Sequence, residues 1–164
     1  MTAFYSEALG KHDRTAFASG NDRFDGYFRS IVSQDVKRNY AHCYVLVEKE
    51  TNRLAGFYSL SATRIPLTEI PPGLARKLPR YPTVPAALIG WLGRDIGFRG
   101  QEIGAMLLRD AIVRVGTSQI GVYALCADAI DEAAVAFYRR FLFTPFESRP
   151  TSLFLPLATA LKAI

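Results

Sequence analysis

Cysteine is scarce in this 164-residue chain: Cys43 and Cys126 are the only two, and each sits inside an apolar run. With no partners at ligand spacing they argue against a metal centre. They point instead to small buried hydrophobes in a reduced compartment. No apolar run reaches the roughly 18 residues that span a bilayer, so no membrane segment is expected. The N-terminus, Met1-Thr2-Ala3-Phe4-Tyr5, lacks a basic start followed by an apolar core, so no export signal is expected either. Repeats, low-complexity tracts and an interdomain linker are also missing. These absences predict one cytoplasmic domain spanning residues 1–164.

Charge of one sign is in excess. Twenty Lys and Arg against 15 Asp and Glu give a net charge of +5 and a pI near 9.4. That balance favours polyanionic partners such as RNA, DNA or a phosphorylated cofactor, without choosing among them. Apolar content of 49% and charged content of 21% are ordinary for a folded protein.

The first half of the chain alternates strands and one helix. Residues 4–8 suit a short strand, and His12 to Gly20 is polar and turn-like, with His12 read as a solvated or hydrogen-bonded histidine. Asn21 is a good N-cap for an amphipathic helix from Asp22 to about Val36, in which Phe24, Tyr27, Phe28, Ile31 and Val32 recur at threes and fours. Cys43–Val47 and Leu54–Ile65, separated by the polar turn Glu48–Asn52, read as an antiparallel hairpin. Pro66, Pro71, Pro72 and Gly73 break regular structure before a short helix, Leu74–Leu78. Arg64, Arg76, Lys77 and Arg80 surround the single acid Glu69 there, with Tyr81 beside them. The patch is either solvated charge or a phosphate-backbone contact face with Tyr81 free to stack.

The second half centres on one turn. The apolar run Ala86–Leu92 predicts a buried strand, and Ile103–Val115 a helix whose polar residues Arg109, Asp110 and Arg114 share one side. Between them lies Asp95-Ile96-Gly97-Phe98-Arg99-Gly100-Gln101-Glu102. A helix start carries unpaired N–H groups and about half a positive charge. Gly100, Gly104 and Arg99 add close approach and a cation, which together suit a pyrophosphate. An ordinary strand–helix connection would look the same. Gly121–Ala127 then predicts a second buried strand, Asp131 caps a helix from Glu132 to about Phe141, and Thr144–Glu147 with Ser152–Leu155 forms a closing hairpin. Leu157–Lys162 suits a terminal helix. This order predicts an α+β fold, a mixed sheet with helices on its faces.

Several strings in order resemble the GNAT superfamily of acetyl-CoA-dependent N-acyltransferases, and within it the toxin branch of bacterial toxin–antitoxin modules that acetylate aminoacyl-tRNA. They are Phe17-x-x-Gly20-Asn21-x-x-x-Asp25-x-Tyr27-x-Arg29, Tyr58-Ser59-Leu60-Ser61, Leu74 to Pro82, Asp131-Glu132-Ala133-Ala134 and Leu153 to Leu157, with Phe137-Tyr138-Arg139-Arg140-Phe141 after the central helix and strand. The resemblance implies a mostly antiparallel central sheet and acetyl-CoA as cosubstrate, with no metal. It implies that the turn Arg99, Gly100, Gln101, Glu102, Ile103, Gly104, Ala105 holds the pyrophosphate, and that Leu92, Gly93 and Arg94 pair with the pantetheine arm, with Phe137 also at the cofactor. Tyr138 takes the position of the superfamily's tyrosine acid, which protonates the leaving thiolate; a phenol that merely packs beside the cofactor is the other reading. Arg64, Arg76, Lys77 and Arg80 would face tRNA. A homodimer and a ribbon-helix-helix antitoxin are the implied partners. No general base stands out.

The departures from the pattern cluster near the cofactor. Glu102 replaces the first glycine of the turn, Gly93-Arg94 stands where small and β-branched apolar residues are usual, and Trp91 stands where a cation is common. Leu142 replaces the glycine after the Phe137–Phe141 helix end, a place that favours the left-handed conformation. Two other functions follow if these changes matter: acetylation of a small-molecule or protein amine, and a silent binding module that keeps the fold.

Overall fold

A computed structural model describes residues 3–164. Seven strands, β1 (Phe4–Ala8), β2 (His42–Glu48), β3 (Leu54–Pro66), β4 (Thr83–Arg94), β5 (Ala124–Asp128), β6 (Thr144–Pro145) and β7 (Ser152–Pro156), hydrogen-bond in the order β1-β2-β3-β4-β5-β7-β6. The sheet is mixed and mostly antiparallel, as the sequence predicts; β4 and β5 run parallel, from Ala86 opposite Ala124 to Ile89 opposite Ala127. The chain divides into two compact units, Met1–Ser61 with Gly90–Ala111, and Ala62–Ile89 with Ile112–Ile164.

In the first unit, β1 and β2 pair antiparallel, and β2 and β3 form the predicted hairpin with a register shift at Leu46/Val47. Helix α1 (Asp22–Gly26) is capped by Asn21, whose side chain accepts from the Arg23 and Phe24 amides. The helix does not continue evenly. Tyr27–Ile31 is π-helical, and α2 (Val32–Lys37) follows. The wider turn shifts the phase of the apolar stripe, so Ile31, expected in the core, is 49% exposed. Phe17, Tyr27, Phe28, Val32, Cys43, Val45 and Phe57 make the core of this unit, with Phe24 and Trp91 packed against it.

Helix α4 (Ile103–Gly116) begins in this unit. Asp110 departs from the helical-wheel expectation of one polar side: its carboxylate accepts from buried Tyr58 at 2.5 Å and from Ser6 at 2.7 Å, tying α4 to β3 and β1. A buried phenol needs an acceptor more than a surface carboxylate needs water, and that preference set the rotation of the helix.

The second unit has its core around Ile65, Ile70, Val84, Ala86, Ala124, Cys126, Phe146 and Phe154. Helix α3 (Pro72–Ala75) starts earlier and ends sooner than the predicted 74–78, because Pro72 suits the first helical turn and Leu78 precedes Pro79. Helix α5 (Glu132–Arg140) is capped by Asp131, which accepts from the Ala134 amide at 2.8 Å. Leu142 then adopts φ 75°, the left-handed residue expected there. Strands β6 and β7 pair as the predicted hairpin, and α6 (Leu157–Ala163) follows. Both cysteines are buried and free, and burial pushes each thiol up to about 12.

Candidate active site

The end of β4 and the start of α4 belong to the first unit, and their geometry begins with Asp95. Its carboxylate is buried and accepts from the Gly97 amide at 2.7 Å and the Ala18 amide at 3.0 Å, with Arg53 at 3.6 Å. The Asp95 amide donates to Ala55 and the Ile96 amide to Ala18. One acid therefore pins the strand end to the 17–18 loop before the chain turns. Arg99 follows, exposed; Gly100 takes φ 80° and Glu102 φ 59°, both left-handed. The Glu102 carbonyl accepts from the Met106 amide at 3.1 Å, which makes Glu102 the residue preceding the first helical turn. The amides of Ile103, Gly104 and Ala105 consequently point out of the helix end with no intrahelical acceptor. Gln101 and Gly104 are half-buried at this corner.

Along β4, Leu92 and Arg94 are half-buried, and the Arg94 Nε is a buried donor without an acceptor among the described residues. Gly93 has a packing reason. A Cβ there would lie 2.9 Å from Cε1 of Phe57 and 3.1 Å from Cδ2 of Phe24, so the aromatic floor under the strand excludes the larger residue usual at this place. Trp91 belongs to the same floor, stacked on Tyr27 with ring centres 4.2 Å apart and met edge-on by Phe24 at 5.1 Å. The donors at this corner fit a diphosphate with an extended arm attached: three outward amides, the Arg99 cation and the unspent Arg94 Nε. Glu102 opposes that charge.

Tyr138 lies in the second unit on α5, 6% exposed, between Phe137 at 5.2 Å and Phe143 at 5.1 Å. Burial, and secondarily the Asp128 charge, push its phenol above the usual tyrosine range. It stays protonated at neutral pH, as a proton donor must. Phe137 is half-buried and also touches Phe141, at 5.1 Å.

Arg64, Arg76, Lys77, Arg80 and Tyr81 are all exposed on the second unit. Glu69, the one acid among them, is occupied. It accepts from the Ser148 amide at 2.8 Å and from the Ser148 hydroxyl, and its backbone carbonyl accepts from the Glu147 amide. Those bonds hold its carboxyl below the usual range and fix the basic segment to the β6–β7 loop. No group of three or more His, Cys, Asp or Glu able to hold a metal occurs among the described residues, and no helix there is long and apolar enough to cross a membrane.

Asp95, Arg53 and Ser148 escaped the sequence reading. Asp95 carried a faint signal, an acid at the end of an apolar strand; the partners of the others lie too far along the chain to be inferred.

Known proteins share this chain's sequence pattern and fold. A probable toxin TacT of Sinorhizobium fredii (strain NBRC 101917 / NGR234) is 32% identical over 158 residues, covering 91% of this chain and 87% of that protein. A tRNA-acetylating toxin of Mycobacterium tuberculosis (strain ATCC 25618 / H37Rv) is 31% identical over 150 residues, covering 90% and 88%. The crystal structure of a tyrosine-to-phenylalanine mutant of KacT superposes with a TM-score of 0.89 at 26% identity, covering 98% of this chain and 99% of that one. Residues 7–143 match the acetyltransferase (GNAT) family as a whole, and the chain belongs to that family.

Proposed function

We propose that this chain is a toxin-type N-acetyltransferase that moves an acetyl group from acetyl-CoA to the α-amino group of an aminoacyl-tRNA and so blocks translation. The observation that carries the reading is the corner from Arg99 to Ala105, where two left-handed residues deliver the chain into α4 with its first amides unspent, in a family whose chemistry is acetyl transfer. The toxin names of the two relatives support the substrate class. Arg99, Gly100, Gln101, Glu102, Ile103, Gly104 and Ala105 take the diphosphate. Leu92, Gly93 and Arg94 take the extended arm, with the Arg94 Nε an open donor on that strand. Phe137 packs at the cofactor.

Acetyl-CoA supplies the activated acetyl group as a thioester; the protein supplies position and protons. The attacking amine needs little activation, because an aminoacyl ester's amine titrates at or below the roughly 7.7–8.0 of a chain terminus. Tyr138 donates to the departing sulfur. Burial keeps the phenol protonated, so its proton is present for the departing thiolate. Arg64, Arg76, Lys77 and Arg80 contact the RNA backbone, and the protein works in the cytoplasm as a homodimer restrained by a ribbon-helix-helix antitoxin.

The test is labelled acetyl-CoA with a pool of charged tRNA, against free amino acids and small amines. Acetylated aminoacyl-tRNA is expected, with Tyr138→Phe slower by roughly 10²–10⁴ and still folded. Equal labelling of free amines would replace the substrate, and no acetyl-CoA binding would leave a silent module.

A further inference from the structure

Residues 67–82 of the second unit form a closed surface loop. The Leu67 amide donates to the Pro82 carbonyl at 2.9 Å, so the ends of the loop meet. Compact loops of roughly 6–16 residues whose ends meet pack on their own side chains and frequently carry function. Between the ends the backbone bonds to itself: the Ile70, Ala75 and Leu78 amides donate to the carbonyls of Leu67, Pro71 and Ala75. Ile70 is 2% exposed, and Leu67, Leu74, Ala75 and Leu78 pack against the same core. Pro71, Pro72, Pro79 and Pro82 fix φ along the way, which removes freedom that a flexible loop would lose on binding.

With the apolar side chains packed inward, Arg76, Lys77, Arg80 and Tyr81 are left outside, Tyr81 at 71% exposure. None of the three cations forms an ion pair among the described residues. That is unexpected, because Glu69 belongs to the same loop. A half-exposed carboxylate among long cationic side chains ordinarily settles beside one of them, at small gain.

Two donors hold it elsewhere. The Ser148 amide donates to Glu69 Oε1 at 2.8 Å and the Ser148 hydroxyl to Oε2, so the β6–β7 loop engages both carboxylate oxygens. Hydrogen bonds to an ionised group are the strong ones, and these satisfy the carboxylate without consuming a cation. Arg149 keeps its guanidinium over the Phe146 ring, 5.4 Å from the centre, and adds only a secondary field at Glu69. The Glu147 amide donates to the Glu69 carbonyl at 3.0 Å, a bond that ties the two loops independently of either side chain.

We propose that residues 67–82 are a preformed RNA-contact loop and that Ser148 is its positioning residue. By holding Glu69, Ser148 leaves Arg76, Lys77 and Arg80 free for phosphates and Tyr81 free to stack on a base. Released from Ser148, the Glu69 carboxylate pairs with a neighbouring cation, which then no longer neutralises a phosphate. The inference rests on the aminoacyl-tRNA reading above and deepens it by naming the rigid element and the residue that keeps its charges unspent.

The full-length wild type, Ser148→Ala, Glu69→Gln and the double variant are compared in two measurements. One is binding of fluorescent deacylated tRNA from about 50 to 200 mM salt; the other is KM and kcat for charged tRNA with labelled acetyl-CoA. Ser148 is exposed and its backbone bonds survive the substitution, so Ser148→Ala should fold normally. It should weaken tRNA binding about three- to tenfold at low salt and flatten the salt slope by about 0.7–0.9, the loss of one phosphate contact. KM for charged tRNA should rise with it, while kcat and KM for acetyl-CoA stay unchanged. Glu69→Gln still offers the Ser148 amide an acceptor and should bind tRNA at least as tightly as wild type. The double variant should recover wild-type binding, because no carboxylate remains to capture a cation. Wild-type tRNA binding by Ser148→Ala would overturn the proposal, and so would a double variant as weak as Ser148→Ala, the result a mere structural brace would give. If wild type binds no tRNA, the loop and the functional reading both fall. Binding without acetylation removes the functional reading alone; acetylation by Ser148→Ala with wild-type constants removes the positioning role alone.

Discussion

Replacing Glu102 is the sharpest probe of the corner proposed to hold acetyl-CoA. The residue combines two opposed features: φ of 59°, which glycine adopts freely and a side chain does not, and a carboxylate in the turn proposed to hold the diphosphate. The left-handed conformation costs roughly 1–2 kcal/mol for a residue with a Cβ, while glycine loses roughly 0.5–1 kcal/mol more in backbone entropy. Glu102→Gly should therefore change folding stability by less than about 1 kcal/mol. The charge term is separate. Were the carboxylate to stand about 8 Å from a diphosphate of about two charges, it would repel it by about 1 kcal/mol at water-like screening, which is about fivefold in Kd. Glu102→Gln keeps the backbone strain and removes only the charge. Calorimetric titration with acetyl-CoA at low salt should show about fivefold tighter binding for Glu102→Gln, and a gap that closes near 1 M salt, where the Debye length is about 3 Å. Unchanged affinity at low salt would mean that the carboxylate does not face the diphosphate, and the anion cradle would have to be sought elsewhere.

Three further outcomes follow from the same structure. Leu142, 59% exposed at φ 75°, gains little from burial to offset its conformation, so Leu142→Gly should raise stability by up to about 1 kcal/mol after glycine's entropy is subtracted, and Tm by up to about 2–4 °C in a melting curve. Burial pushes the two thiols up from 9.0 to about 12. Their raised values leave stability intact below pH 9 and remove it as pH climbs toward 12, at about 1.4 kcal/mol per unit for each thiol; Cys126→Ala should flatten the denaturant midpoint against pH by that amount. Removing Arg76 and Lys77 together should weaken use of charged tRNA and lower the salt slope by about 0.7–0.9 for each phosphate no longer neutralised, with acetyl-CoA binding unmoved.

What was legible from sequence obeys local rules. Asn21 and Asp131 cap helices because their side chains reach amides two or three residues on, and Leu142 could be placed in the left-handed region because a helix end imposes it. The order of strand, turn and helix start from β4 to α4 was legible as well, since the three are consecutive. Tertiary partners were not. Asp110 sat on the polar side of a helical wheel, yet its neighbours Tyr58 and Ser6 are 52 and 104 residues away. Gly93 stood out as a departure, but its reason lies in the rings of Phe24 and Phe57.

The π-helical turn is the most consequential miss, and its cause is arithmetic. Phe24, Tyr27, Phe28, Ile31 and Val32 fit a 3.6-residue period, and no rule of spacing says that one turn should hold an extra residue. The core decides it. Phe28 stacks on Phe57 at 4.2 Å and Tyr27 on Trp91 at 4.2 Å, and both stacks must form while Val32 stays fully buried. Widening the turn after Tyr27 satisfies all three and sends Ile31 to solvent, a loss of roughly 1–2 kcal/mol of apolar burial. A fold retains such a loss when something else is gained, and the visible gain is Asp35 arriving beneath the Tyr27 hydroxyl. Deleting one residue between Tyr27 and Asp35 should restore an even helix on which the two stand seven apart, close to the roughly 7.2 residues of two turns, so their hydrogen bond should survive and a melting curve should show no loss of stability.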